Sequence, residues 1–491
     1  MALQKHRDLH FVLVPLGSPG HFIPMIDMAK LLARHGVTVT IVTTPLLAGR
    51  FASTVGRAVD SGLAIRLRQL RFPFMEAGLP EGCESADMIP SVDLLRNFFC
   101  AVWMLQQPFE QMFQELNPSP SCIIADKNFA WMAEAAKKFN VPRFSFDGMS
   151  CFTLLCTHNL SVSKVYETVP ETQPFVVPGL PDRIELTRAQ LPGVFNPGSL
   201  AVQDFRDKVR EAEAEAYGVV INSFQELEPS YVNGLKKLKA DKVWCIGPLS
   251  LCNNDGIDKA QRGNKASIDE NQCLKWLDSQ QPGSVVYACL GSLSKPPPSQ
   301  LIELCLGLEA SKRPFVWAVR VGEKARELDK WIEEDGFEER TKGRGLIIRG
   351  WAPQLLILSH KAVGAFLTHC GWNSTLEGVG AGLPMVTWPM FAEQFLNEKL
   401  LVQVLGVGVS VGAQVVVHLC EEDKFGVLVK KEAIRRAVEE VMDGGEEGEE
   451  RRERARKLGK MAKRAMEDGG SSRLNVASLI QDVLQQVNAK F

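Results

Sequence analysis

The chain has 491 residues, which at roughly 150 per domain points to more than one domain; 45% hydrophobic and 23% charged residues make ordinary globular composition. Its 56 basic and 58 acidic side chains leave a net charge of −2, which argues against the basic stripe of a nucleic-acid binder and the polybasic patch of a membrane-surface protein. No apolar run nears the ~20 residues that cross a bilayer, and the opening MALQKHRDLHFVLVPLG has no small-residue cleavage site. A cytoplasmic protein with no integral membrane segment and no nucleic-acid partner is the expectation.

Read in chain order, short β-branched or apolar runs alternate with amphipathic helical stretches, the rhythm of parallel α/β layers. The first unit is a strand LHFVLVPL (9–16), a turn GSPGH (17–21), a helix from Phe22 closed by Gly36, and a second strand VTVTIVTTP (37–45). Further strands are predicted at CIIAD (122–126), PRFSF (142–146) and GVVINS (218–223). Phe98, Phe99, Trp103, Phe109 and Phe113 follow helical spacing, which suits core packing first and the wall of an apolar acceptor pocket second.

Residues 249–272 are polar and rich in Gly, Asn and Asp, without periodicity, and read as a linker or flexible insertion. The rhythm then restarts with SVVYACLGSLSK (284–295) and a helix from Pro298 to Ser311. Both halves open alike, yet they share negligible sequence identity, so no repeat is detectable. GVGVSVG (406–412) has the wrong spacing for a dinucleotide loop and reads as strand, and no GxGxxG follows the first strand, which disfavours a nicotinamide-dependent oxidoreductase. Residues 439–470 mix both charges as a solvated helix does. The final SSRLNVASLIQDVLQQV spaces Leu474, Val476, Leu479, Ile480, Val483 and Leu484 along one helical face that needs a partner.

Twelve cysteines are too sparse for a disulfide framework, and without CxxC or HExxH no metal-ligand spacing exists. Reduced thiols are the plain reading. His6 and His10 stand four apart but precede or open a strand, a poor place for a metal pair.

The segment Trp351 to Gln394, WAPQLLILSHKAVGAFLTHCGWNSTLEGVGAGLPMVTWPMFAEQ, is the most informative. AVGAFLTH reads as a buried strand; Cys370, Gly371 and Trp372 turn the chain, and Asn373 to Gly378 open a helix. A glycine turn feeding a helix N-terminus offers unpaired N–H groups and the positive end of the dipole, which suits phosphate. His369, Asn373 and Ser374 add donors.

This segment resembles the signature box of plant UDP-dependent glycosyltransferases acting on small lipophilic metabolites. The match covers all 44 positions without gaps, including WAPQ, HCGWNS, the following glutamate and the closing acid–Gln pair. The N-terminal half resembles the branch that glycosylates triterpenoids, steroids and flavonoids. The resemblance implies an α/β protein of the GT-B fold, two Rossmann-like domains facing across a cleft. Residues 1–248 would bind the acceptor and 273–470 the UDP-sugar, with 249–272 as linker and the helix in 471–491 packing back on the first domain.

It also implies roles. Trp351 would stack on uracil, with the Ala352 main chain on the base edge, and Gln354 and Glu377 would hold the ribose. Ser292, His369, Asn373 and Ser374, with Gly371 in the turn, would contact the diphosphate and stabilise the charge on departing UDP. Glu393 and Gln394, with the backbone near Trp372, would bind the sugar; Trp372 and a closing Gln point to glucose. UDP-glucose would be a co-substrate, with no cofactor and no metal. His21 would be the general base and Asp126 its partner carboxylate. The family's usual turn before this histidine is of Gln-Gly-His type; here it is Ser18-Pro19-Gly20-His21. The expectation is an inverting O-glucosyltransferase, monomeric, giving a β-glucoside. A non-catalytic small-molecule binder on the same scaffold is the alternative, and loss of His21 or Asp126 would have signalled it.

Overall fold

A computed structural model describes residues 9–197, 203–253, 256–419 and 421–489; His6, of the histidine pair above, lies outside them. The chain forms two compact units. The first comprises Met1–Cys151, Ser199–Asn253 and Arg464–Phe491; the second comprises Phe152–Gly198 and Asn254–Lys463.

The first unit is built on seven parallel strands: β1 (His10–Val14), β2 (Thr38–Thr43), β3 (Ile65–Gln69), β4 (Cys122–Asp126), β5 (Arg143–Asp147), β6 (Gly218–Ile221) and β7 (Val243–Cys245). Their order across the sheet is β3-β2-β1-β4-β5-β6-β7. β1, β2, β4 and β5 are buried at every position, which is why β1, β2 and β4 read as near-continuous apolar or β-branched runs; β5, Arg-Phe-Ser-Phe-Asp, alternates instead. The second unit has six parallel strands: β8 (Val285–Cys289), β9 (Phe315–Val319), β10 (Gly345–Arg349), β11 (Val363–Thr368), β12 (Met385–Thr387) and β13 (Gly408–Ser410). Their order is β10-β9-β8-β11-β12-β13. In each sheet the order reverses direction once, between β1 and β4 and between β8 and β11. Ligand sites of open α/β sheets lie at such switch points, beyond the carboxyl ends of the strands.

The first helix starts earlier than its apolar spacing suggests, spanning Pro19–Arg34. Proline at the first helical position costs no hydrogen bond and presets φ, and Ser18 precedes it in an extended conformation. His21 therefore sits in the first helical turn, not at the tip of a loop. Gly17 is required where it stands, since a Cβ there would lie 2.5 Å from the Glu84 carbonyl oxygen, whereas a Cβ on Gly20 would meet nothing.

Phe98, Phe109 and Phe113 are core residues, packed with Phe72, Phe129 and Trp131. Phe99 and Trp103 are half-buried, and Phe99 stacks on Phe205 with ring centroids 4.1 Å apart. The charged stretch forms the helix Glu446–Ala465 with pairs such as Arg454–Glu450. The last helix, Ser471–Asn488, buries Val476, Leu479, Ile480 and Val483. It is tied to β7 by Asn475 Nδ2 donating to the Cys245 carbonyl at 2.9 Å, and Lys242 Nζ donates to Asp482 at 2.8 Å. Leu474, expected on the buried face, is 59% exposed.

The stretch 249–272 is not featureless. Leu249–Cys252 forms a short 3-10 turn with Leu249 and Cys252 buried. Asn253 is fastened to the first helix, accepting from Lys30 Nζ at 3.1 Å and donating to Asp27 at 2.8 Å. A one-turn helix follows at Gly256–Ala260.

Candidate active site

In the first unit, β1 leads into the helix Pro19–Arg34 that carries His21, and β4 ends in Asp126; the two strands are neighbours, with Val14 opposite Ala125. His21 Nδ1 lies 2.6 Å from Asp126 Oδ2. Asp126 is 1% exposed, while the His21 side chain keeps 32% of its surface. The other carboxylate oxygen accepts from the Asn128 amide N–H at 3.0 Å and from its side-chain Nδ2 at 2.8 Å. Burial would raise the Asp126 carboxyl, but the His21 ring and the two Asn128 donors outweigh it and hold it below its ordinary value. An ionised carboxylate against Nδ1 selects the tautomer with Nδ1–H, which leaves Nε2 as the basic nitrogen. Next door, the half-buried Lys127 ammonium reaches Asp147 Oδ2, at the end of β5, at 3.1 Å. Asp147, backed by Glu213, outweighs the effect of burial and holds the ammonium above its ordinary value, so it stays charged.

In the second unit, β8 ends opposite the end of β11, with Cys289 paired to Thr368. Beyond these ends, the imidazole of His369 is wedged between two glycines. A Cβ on Gly291 or on Gly371 would lie 2.4 Å from His369 Nε2. Burial pushes the His369 pKa down to about 4, so the ring is neutral near pH 7, and its Nδ1 is buried with no hydrogen-bond partner. Cys370 takes a left-handed φ of 63° to make the turn, and the helix Trp372–Ala381 starts at once with Gly371 as its cap. Asn373 and Ser374 lie in its first turn, half-buried. Trp372 is 2% exposed, so its ring packs inward.

Gln354 opens the short helix Gln354–Leu358 and connects three of the expected residues. Its Nε2 donates to Glu377 Oε2 at 2.7 Å and to Ser374 Oγ at 3.2 Å, and its Oε1 accepts from the Tyr287 hydroxyl at 3.2 Å. The Ala352 carbonyl accepts from the Gln354 N–H at 2.8 Å. Ser292 lies just after β8, its carbonyl accepting from Arg320. Farther along, Ala392 adopts a φ of 51°. Gln394 folds back so that its Oε1 accepts from the N–H groups of Met390 at 2.9 Å and Phe391 at 3.2 Å, which commits the oxygen and leaves the amide nitrogen to offer. Asn397, not expected from the sequence, joins this end to the turn, donating to the Cys370 carbonyl at 2.9 Å and to Glu393 at 3.4 Å.

Asn128 was also not foreseen, although its place two residues after Asp126 fits the local side-chain-to-backbone turn that Asp favours. Arg262 and Ser267 gave no sequence signal, because each acts on a residue about a hundred positions away. Among the described residues, no cluster of three His, Cys, Asp or Glu side chains is placed to hold a metal ion, and no helix is long and apolar enough to cross a membrane.

Two doubly wound sheets, one with a His–Asp pair at its switch point and the other with a glycine turn and helix N-terminus at its own, suit a transferase that takes an anionic donor. Known proteins agree. The family model described as UDP-glucoronosyl and UDP-glucosyl transferase matches residues 262–434, and that of the glycosyltransferase N-terminal domain matches 8–251. UDP-glycosyltransferase 73C11 of Barbarea vulgaris is 52% identical over 98% of this chain and 97% of its own. UDP-glycosyltransferase 73C6 of Arabidopsis thaliana is 50% identical over 99% of both. The crystal structure of Glycyrrhiza uralensis UGT73P12, complexed with glycyrrhetinic acid 3-O-monoglucuronide, superimposes with a TM-score of 0.91 at 38% identity, covering 98% of each chain. Medicago truncatula UGT71G1, complexed with UDP-glucose, gives 0.76 at 25% identity over 97% of this chain and 98% of that one. The chain belongs to the plant UDP-glycosyltransferases: it is a GT-B enzyme that uses a UDP-sugar.

Proposed function

We propose that the protein is an inverting O-glucosyltransferase that moves glucose from UDP-glucose to a hydroxyl of a small lipophilic plant metabolite, such as a triterpenoid, steroid, flavonoid or other phenol. The observation that carries this reading is the His21–Asp126 contact of 2.6 Å beside a half-exposed imidazole. A histidine so oriented has its Nε2 set to take a proton, which a non-catalytic binder does not need. The N-terminal domain takes the acceptor. Nε2 of His21 removes the hydroxyl proton as that oxygen bonds to the anomeric carbon, and the bond from this carbon to the UDP oxygen breaks. Asp126 holds the ring and offsets the charge of the imidazolium. One in-line displacement of an α-linked donor gives a β-glucoside.

The C-terminal domain takes the donor. Trp351 and the Ala352 main chain receive the uracil, Gln354 and Glu377 the ribose. Ser292, Asn373 and Ser374, the Gly371 turn and the neutral His369 donate to the diphosphate, whose negative charge grows as UDP leaves. Glu393, the Gln394 amide nitrogen and the Trp372 main chain bind the glucose hydroxyls. We place the enzyme in the cytoplasm, in line with its few cysteines and lack of a disulfide framework, and as a monomer. The test is purified protein with UDP-glucose and a panel of phenolic and terpenoid acceptors, reading UDP release and the anomeric configuration of the product. UDP release coupled to a β-glucoside is expected; an α-product, or binding of acceptors without UDP release, would overturn the reading.

A further inference from the structure

The polar stretch after the first domain sends two side chains into the nucleotide-sugar residues. Arg262 Nη1 donates to Glu377 Oε1, with the two side chains only 9% and 4% exposed. Glu377 Oε2 accepts from Gln354 at 2.7 Å. Five residues on, Ser267 is locked to the Trp351 main chain in both directions. Its N–H donates to the Trp351 carbonyl at 2.8 Å, and its Oγ accepts from the Trp351 N–H at 2.9 Å. The approach is close enough that a Cβ on Gly350 would lie 2.1 Å from Ser267 Oγ.

A carboxylate offers about four lone-pair sites. Arg262 occupies a site on one oxygen of Glu377 and Gln354 a site on the other, so each oxygen keeps one acceptor site. Two acceptor sites on one fixed carboxylate match two adjacent hydroxyls, the feature of a ribose 2′,3′-diol. The guanidinium, a planar fork of fixed donors, holds the buried carboxylate in one orientation.

We propose that Arg262 is a positioning residue of the nucleotide-sugar site, acting through Glu377 so that the carboxylate accepts both ribose hydroxyls, with the Ser267–Trp351 pairing holding its segment in place. This rests on the reading of Glu377 as the ribose acceptor. The test compares the dissociation constants of UDP and 2′-deoxy-UDP, by calorimetry, for the full-length protein and its variants. The parent prefers UDP by tenfold or more, the scale of one hydrogen bond to a charged group. Arg262→Gln brings that ratio to within about threefold of unity, and Arg262→Lys, which keeps the charge but not the planar fork, recovers part of it. A general loosening of the fold weakens both nucleotides alike and leaves the ratio where it was. A parent-like ratio in Arg262→Gln, with Glu377→Gln collapsing it, overturns the positioning role while the ribose reading stands. A parent-like ratio in Glu377→Gln removes the ribose reading itself, and the proposal with it.

Discussion

His21 and Asp126 need each other for different reasons. The histidine supplies the proton-accepting nitrogen, and the aspartate, buried and ionised, fixes which nitrogen that is. General-base assistance is worth roughly 10²–10⁴ in rate, so His21→Ala is expected to lose about that factor in kcat. Asp126→Ala should lose less where the ring still finds its tautomer, and acidic phenols should suffer least from either change. Full activity of His21→Ala on an aliphatic alcohol would remove the histidine from the mechanism. His369 behaves oppositely, because its burial favours the neutral ring. The unfolded imidazole takes up its proton near pH 6.5 and the folded one near 4. Between those values the unfolded state binds more protons, so stability falls as the pH drops through this window and is unaffected above it. The cost is about 1.4 kcal/mol per pH unit and up to about 3 kcal/mol in all. Denaturant titrations at pH 7 and pH 4.5 should show a smaller acid loss for His369→Gln than for the parent; equal losses would mean the ring is not held neutral by the fold. Both histidines were legible as site residues only through their motifs. The wedge of His369 between Gly291 and Gly371 was not, because two glycines 80 positions apart in the chain meet only when β8 and β11 pair.

The elements that sequence patterning located best are the buried strands, whose apolar runs leave no other place for them. Helix starts are harder: Pro19 and Gly20 look like turn residues, yet proline at the first helical position begins the helix there. The segment from 249 to 267 was least legible. Its bonds run to Asp27, Lys30, Trp351 and Glu377, and polar side chains paired over such separations leave no periodic trace. The last helix shows the reverse case, an apolar face that announced a partner and has one in β7, with only Leu474 left outside. Four buried aliphatic side chains, each worth about 1.5–3 kcal/mol against exposure, rival the 5–15 kcal/mol that stabilises a whole domain. Truncation after Gly470 is therefore expected to lower the melting temperature by ten degrees or more, or to prevent folding. A truncated protein with the parent's melting curve would contradict the docking.

At the scale of the molecule, two sheets with little common sequence repeat one plan: a parallel order that reverses once, with the candidate site residues placed beyond the reversal. The rhythm of strands and helices conveyed the plan, and a gapless motif conveyed the family. The contact units, however, cut across the chain, since Phe152–Gly198 belongs with the second and Arg464–Phe491 with the first. Those assignments depend on packing, which a linear pattern does not encode. We assign donor choice likewise to the assembled Met390–Gln394 turn. UDP-glucose is expected to show a higher kcat/KM than UDP-galactose or UDP-glucuronate in competition assays, and a larger value for either competitor would refute it. Gln394→His should erode the preference about tenfold, the scale of one hydrogen bond, and should also slow turnover, because Gln394 Oε1 holds the turn through Met390 and Phe391.

The first unit is thus the earliest begun and the last finished. Its edge strand β7 leaves the ribosome long before Ser471–Asn488, the helix that caps it, because some two hundred residues of the other unit intervene. At about 5–20 residues per second, Trp244 and the apolar flank of β7 wait roughly 10–40 seconds for their cover. An uncovered sheet edge is a template for pairing with other chains. Conditions that slow translation of the second unit, or messages cut short before the final helix, should therefore divert this protein to aggregates more than mutations of equal thermodynamic cost elsewhere.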